Sequence, residues 1–191
     1  WTGICLKLFL GVNITVKGLE NIPKDKKYFV VCSHQSMFET FYLQTIFNSP
    51  VFILKNELLK IPIFGWYLKK IGSISIVRNK TTKNNLGFFD QISELTNKSD
   101  RPLIIFPQGT RLSPDERSPF KKGASKIYDK LKIKCQPVAI NSGYTWPKHG
   151  LKKANLNLTI SILKPIDEGM NKEEFLNILE ENIYSELNKL N

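Results

Sequence analysis

Tyr28-Phe29-Val30-Val31-Cys32-Ser33-His34-Gln35-Ser36-Met37-Phe38-Glu39-Thr40 is the stretch on which the fold turns. Its first five residues form an apolar run of strand length, and 38–47 reads as the helix that follows, so a buried strand passes through a short turn into a helix. His34 falls in that turn, where functional side chains are often held out on a rigid frame. Glu39 comes five residues later. Within one helix, five steps of about 100° would leave the two side chains roughly 140° apart, so contact requires His34 ahead of the helix and Glu39 in its first turns. Such a pair fits a proton-accepting imidazole whose other nitrogen is oriented by a carboxylate. Ser36 and Glu39 also spell a capping box, in which Ser36 is the N-cap and Glu39 folds back onto its backbone. On this fragment both readings of Glu39 stand. The other of the two histidines, His149, lies in the polar run Pro147-Lys148-His149-Gly150 and reads as a solvated loop residue.

A second strand exit lies at 103–107. Leu103-Ile104-Ile105-Phe106 is a short apolar run that ends in Pro107-Gln108-Gly109-Thr110-Arg111. A proline and a glycine bracketing such an exit make a turn able to aim backbone N–H groups and an arginine at one ligand, and anions are its natural guests.

The two segments, in this order, resemble the glycerophosphate acyltransferase superfamily, and most closely its bacterial 1-acyl-sn-glycerol-3-phosphate acyltransferases. The resemblance runs from about residue 11 to 167. The His-x4-Asp motif of that family has its counterpart in His34 and Glu39, and Phe-Pro-Glu-Gly-Thr-Arg in Phe106-Pro107-Gln108-Gly109-Thr110-Arg111. Gly72-Ser73-Ile74-Ser75-Ile76-Val77-Arg78 matches a Gly-x-Ile-x-Ile-x-Arg block, and Gln136-Pro137-Val138-Ala139-Ile140 an apolar Pro-Val block. Glu39 in place of Asp keeps the charge and adds one methylene. Gln108 in place of Glu removes a charge, and leaves the role of that position open while keeping its capacity for hydrogen bonds.

The resemblance implies an α/β fold, a single domain over 1–191 with a mostly parallel or mixed central sheet flanked by helices, of the glycerol-3-phosphate acyltransferase type. It implies acyl transfer from an acyl thioester, acyl-CoA or acyl-ACP, to the sn-2 hydroxyl of lysophosphatidate, giving phosphatidate. In that reading His34 is the base and Glu39 steadies its imidazolium. Arg78, Arg111 and Lys55 hold the phosphate, while Gln108, Gly109 and Thr110 support the motif or supply oxyanion donors. No resident cofactor is implied, the thioester being a co-substrate. The implied place is the cytoplasmic face of the plasma membrane, peripheral or monotopic. A related acyltransferase acting on glycerol 3-phosphate or another lysolipid would share every motif. A non-catalytic binder of anionic lipid fits the charge but leaves the His34/Glu39 pair without a task.

Composition agrees with these expectations. The chain has 191 residues and a formal charge of +11, and its charge is uneven: 1–166 carries 26 basic against 10 acidic side chains, a net +16. Such a body is drawn to anionic surfaces. No nucleic-acid recognition motif accompanies the charge, so a lipid surface is the expected partner rather than nucleic acid. No secretory signal or complete membrane span is visible. Residues 1–12 are a candidate membrane-interfacial helix, with packing on the protein's own core as the alternative. The chain opens on Trp1 rather than a methionine, and an anchor ahead of it is left open. Cys5, Cys32 and Cys135 are scattered in apolar settings and read as reduced packing residues, and with no metal-ligand spacing no bound metal is expected.

Further strands are expected over 14–18, 51–54, 74–77, 103–106, 137–140 and 156–163, and helices over 85–96, 124–131 and 172–190. The last has Asn171 and Glu174 as its cap and an apolar stripe of Leu176, Leu179, Ile183, Leu187 and Leu190. The apolar run 61–68 is placed at the wall of an acyl trough or at the membrane surface, or else in ordinary core. Trp146 and Pro147 are placed beside the same opening.

Overall fold

The computed structural model describes residues 2–24, 27–76, 87–154 and 156–190. Its strands are β1 (Asn13–Lys17), β2 (Tyr28–Cys32), β3 (Val51–Lys55), β4 (Ile74–Ile76), β5 (Leu103–Ile105), β6 (Lys134–Ile140) and β7 (Asn157–Ile162). Its helices are α1 (Thr2–Leu10), α2 (Phe38–Ile46), α3 (Phe64–Lys70), α4 (Phe88–Lys98), α5 (Gly123–Leu131) and α6 (Lys172–Leu190). The sheet order is β1-β7-β6-β2-β5-β3-β4. β2 to β6 run parallel to one another, β7 is antiparallel to β6, and β1 joins β7 in parallel, so the sheet is mixed.

Successive side chains of a strand point to opposite faces, and the central strands are apolar on both. Phe29 and Val31 of β2, Val51 and Ile53 of β3, Leu103 of β5 and Cys135 and Ala139 of β6 pack under α4, α5 and α6. Val30 and Cys32, Phe52 and Leu54, Ile104, and Val138 and Ile140 pack on the opposite face under α1, α2 and α3. Helices therefore cover both faces, which is what a parallel sheet requires.

Most expected elements occur, with shifted ends. β6 begins at Lys134, ahead of Pro137. Val77 and residues 85–86, at the edges of an expected strand and helix, lie outside the described residues. On α6 the Asn171 cap is present, its Oδ1 accepting from the Glu173 and Glu174 N–H groups at 3.1 and 2.9 Å. The buried stripe differs from expectation: Phe175, Leu179, Ile183 and Leu187 are buried, while Leu176 and Leu190 are only partly so. Phe175 wins because its ring stacks on Tyr128 of α5, centroids 3.9 Å apart. Among the cysteines, Cys32 and Cys135 are buried as expected, but Cys5 is exposed, because the face α1 turns to the core carries Leu6 and, partly buried, Leu10. Gly18 ends β1 at φ 75°, and a Cβ there would meet the Ile162 carbonyl oxygen at 2.1 Å, so this turn admits only glycine.

Pro137 lies inside the sheet opposite Leu163, whose N–H donates to the Pro137 carbonyl at 3.0 Å. The reciprocal bond is impossible because proline has no N–H. The buried Gln136 side chain replaces it, donating from Nε2 to the Leu163 carbonyl at 2.5 Å. Gln136→Leu should therefore lower the unfolding free energy by about 1–3 kcal/mol, read from the denaturant midpoint. In a Pro137→Ala background, where the strand regains its donor, the same substitution should lose less; equal losses in both backgrounds would exclude this compensation.

Candidate active site

The carboxyl ends of β2, β5 and β3 lie side by side because these strands are parallel neighbours, and the crevice beyond such ends is where open α/β sheets place ligands. β2 delivers the 33–39 turn, β5 delivers 106–111, and β3 ends in Lys55. β6, on the other side of β2, delivers Asn141, Ser142 and Gly143.

Glu39 is fully buried at the start of α2. Its Oε2 lies 3.2 Å from His34 Nδ1. The Gln35 N–H donates to Oε1 at 3.2 Å, and the Ser36 N–H reaches both oxygens at 3.0 Å. Ser142 Oγ also donates to Oε1. Ser36 Oγ accepts from the Phe38 N–H at 3.1 Å. The capping box forms only in part, since the N-cap of α2 is Met37 with no side-chain cap bond and not Ser36, but the Glu39 carboxylate does fold back onto the Ser36 N–H while it holds the imidazole. Because an ionised carboxylate only accepts, Nδ1 must be the protonated nitrogen, leaving Nε2 as the proton acceptor. The ring is held flat against Phe106, centroids 4.0 Å apart and planes within 16°, and keeps 18% of its side-chain surface exposed. Cys32 is no competing nucleophile. Burial above all, and then the nearby Glu39 charge, push its thiol well above the ordinary range.

A cavity of about 200 Å³ opens from His34. Phe52, Leu54, Leu58, Phe64 and Leu68 give it an apolar wall, and Lys55, Gly109, Thr110, Arg111 and Lys148 line it as well. Of the expected residues, His34, Glu39, Lys55, Gly109, Thr110 and Arg111 are brought together here; Arg78 lies outside the described residues. The run 61–68 divides: Phe64 and Leu68 face the cavity, whereas Ile63 and Trp66 are 84% and 66% exposed.

Three expectations need correction. The Gly109 N–H is not an oxyanion donor, since it closes its own turn onto the Phe106 carbonyl at 3.0 Å, with Gly109 at φ 74°. Gln108 is buried and does not line the cavity, which fits support of the motif and not an oxyanion donor. Its Oε1 has no hydrogen-bond partner, and a neutral amide suits that place, where a carboxylate would bury an unpaired charge. Trp146 and Pro147 do not border the cavity, but Lys148 does. Lys148 and Ser142 carried no sequence signal, because both reach the site through the loop after β6 rather than through a local motif.

The comparisons with known proteins agree with this geometry. Residues 13–141 match the family described as Acyltransferase. The chain is 34% identical over 147 residues to a 1-acyl-sn-glycerol-3-phosphate acyltransferase of Pseudomonas aeruginosa, a match covering 77% of this chain and 56% of that protein. It is 33% identical over 175 residues to the enzyme of the same name from Saccharomyces cerevisiae, covering 88% of this chain and 57% of the other. It thus spans about half the length of these curated relatives. The crystal structure of the 1-acyl-sn-glycerophosphate (LPA) acyltransferase PlsC from Thermotoga maritima superposes with a TM-score of 0.77 at 27% identity, over 95% of this chain and 74% of that one. With more than half of its length matched, and with a buried Glu39 orienting His34 at the mouth of a basic, apolar-walled cavity, the chain belongs to the acyltransferase family.

Proposed function

We propose that this chain transfers a fatty acyl group from an acyl thioester to the sn-2 hydroxyl of lysophosphatidate. The observation that carries this reading is the His34–Glu39 contact of 3.2 Å at a cavity lined by Lys55, Arg111 and apolar side chains, a surface suited to a phosphate beside an acyl chain. The relatives' names support the acceptor.

His34 Nε2 takes the proton of the acceptor hydroxyl as its oxygen attacks the thioester carbonyl. Glu39, already holding Nδ1–H, stabilises the imidazolium. Collapse of the tetrahedral intermediate breaks the C–S bond, and the imidazolium returns its proton to the departing thiolate. Arg111 and Lys55 hold the acceptor phosphate as charge-assisted donors. The donor is acyl-CoA or acyl-ACP, and the chemistry requires no resident cofactor.

The substrate and product are amphiphiles, and the reaction belongs at the surface of an anionic membrane, on its cytoplasmic side. No helix among the described residues is long and apolar enough to cross a membrane. α1 instead presents Leu8 and Phe9, 74% and 81% exposed, beside Lys7, and α3 presents Trp66 with Lys70 Nζ 5.0 Å above its ring. Both helices cover the same face of the sheet. Apolar side chains flanked by lysines are the composition of an interfacial contact.

His34→Ala should lose about 10³-fold in kcat with little change in acceptor KM, and Glu39→Gln should fall steeply as well; near-normal turnover by His34→Ala would end the proposal. Arg111→Ala should raise KM for lysophosphatidate about tenfold or more, a charge-assisted contact contributing about 1.5–3 kcal/mol, while a rise confined to the acyl donor would reassign the arginine. Exchanging Leu8 and Phe9 for Glu should reduce sedimentation with anionic vesicles at high salt, where screening leaves apolar insertion dominant, and should leave the melting temperature in place. Unaltered sedimentation would exclude α1 from the membrane contact.

A further inference from the structure

The cavity beside His34 is lined by three cationic side chains, Lys55, Arg111 and Lys148, and by no carboxylate. Among the described residues, six other lysines are paired with acidic side chains. Among the described residues these three cations have no such partner, and what sets them apart from the other unpaired lysines of the surface is that all three line one cavity beside His34. Arg111 sits in the 106–111 motif at the exit of β5, and Lys55 ends β3. Lys148 comes from the loop that follows β6.

That loop is fixed to the catalytic turn at its root. Gly143 N–H donates to Gln35 Oε1 at 3.0 Å, Ser142 Oγ donates to the Glu39 carboxylate, and the Trp146 N–H closes a turn onto the Ser142 carbonyl at 2.8 Å. Thr145, between them, is fully buried, and its carbonyl accepts from the Lys153 N–H at 2.8 Å on the far side of Lys148. Lys148 is therefore an exposed ammonium on a segment held at both ends. Its place relative to His34 is set by the same carboxylate that sets the imidazole.

We propose that Lys148 is a third cation of the acceptor's phosphate site, and that it makes the site select a phosphate monoester over a diester; the proposal rests on the acceptor reading above. A monoester carries a charge of about −1.5 to −2 near neutral pH, its second ionisation lying near pH 6, and it offers three terminal oxygens. A diester carries one charge and offers two. Arg111 and Lys55 suffice for the single charge they share, so the added cation acts mainly on the second charge, which only the monoester has. Lys148 touches no reacting atom in this assignment. It is a specificity-determining residue, acting through acceptor binding.

The test compares wild type, Lys148→Ala and Lys148→Arg with lysophosphatidate, a monoester, and lysophosphatidylglycerol, a diester, at fixed salt and with palmitoyl-CoA as donor. Lys148→Ala should raise KM for lysophosphatidate about tenfold and change that for the diester far less, so that the preference for the monoester drops by a similar factor. Lys148→Arg should keep the preference. Equal effects on both acceptors, no effect on either, or a change confined to the KM of palmitoyl-CoA would overturn the assignment, the last by moving Lys148 to the phosphates of the donor. Calorimetric titration with glycerol 3-phosphate against glycerophosphocholine separates this from the reaction itself. If wild type turns over no lysophosphatidate, the acceptor reading fails; selective weakening of glycerol 3-phosphate by Lys148→Ala would still uphold a monoester site, and unchanged binding would sink it.

Discussion

Everything at the site depends on keeping one carboxylate out of water. Glu39 has no exposed surface, and removing an ionised group from solvent costs several kcal/mol unless donors replace the water it loses. Four groups do so: the N–H of Gln35, the N–H of Ser36, the hydroxyl of Ser142 and His34 Nδ1–H. Each fixes a different piece of chain. The two N–H groups fold the turn after β2, the imidazole is held at the cavity, and the hydroxyl ties in the loop after β6. Stability and chemistry are coupled here, because loosening any one donor leaves the buried charge short of a partner.

The cavity imposes a second constraint. Its cations stand beside Phe52, Leu54 and Leu68, so charge and apolar surface meet within one small cavity. Neither feature alone would separate a lipid from an inorganic ion or from ordinary core packing. Together they form a cavity that is cationic and apolar at once, at the carboxyl ends of parallel strands.

Much of this was legible in the sequence wherever the information is local. The apolar run 28–32, the turn and the following helix announce themselves through periodicity, and the Asn171 cap marks the start of α6. The spacing of His34 and Glu39 even contains both tasks of the carboxylate, though as rivals; only the bond lengths show them to be the same geometry. What stayed hidden depends on distant chain. Phe175 rather than Leu176 is buried because Tyr128, on another helix, offers its ring. Gln136 mattered only once Leu163 was seen opposite Pro137. Gln108 looked like a site residue because its neighbours are, yet the turn closed by Gly109 onto Phe106 leaves it buried and away from the cavity. Lys148 arrives from a loop whose course is set by Ser142 and Gln35, and no pattern in the loop itself foretells where it ends.

The pairing of β1 with β7 has a bearing on how the molecule comes into being. Asn13 finds its neighbour at Asn157, so β1 cannot join the sheet until residue 157 has been made. At about 5–20 residues per second, synthesis of the intervening chain takes roughly 7 to 30 s. For that interval β1 has both edges open, and α1, whose Leu8 and Phe9 stay uncovered, can rest only on segments such as α2 that are made before β7. A nascent chain in this condition is open to unwanted pairing until β7 arrives. The order of strands thus makes β1 wait for a partner that is made 144 residues later.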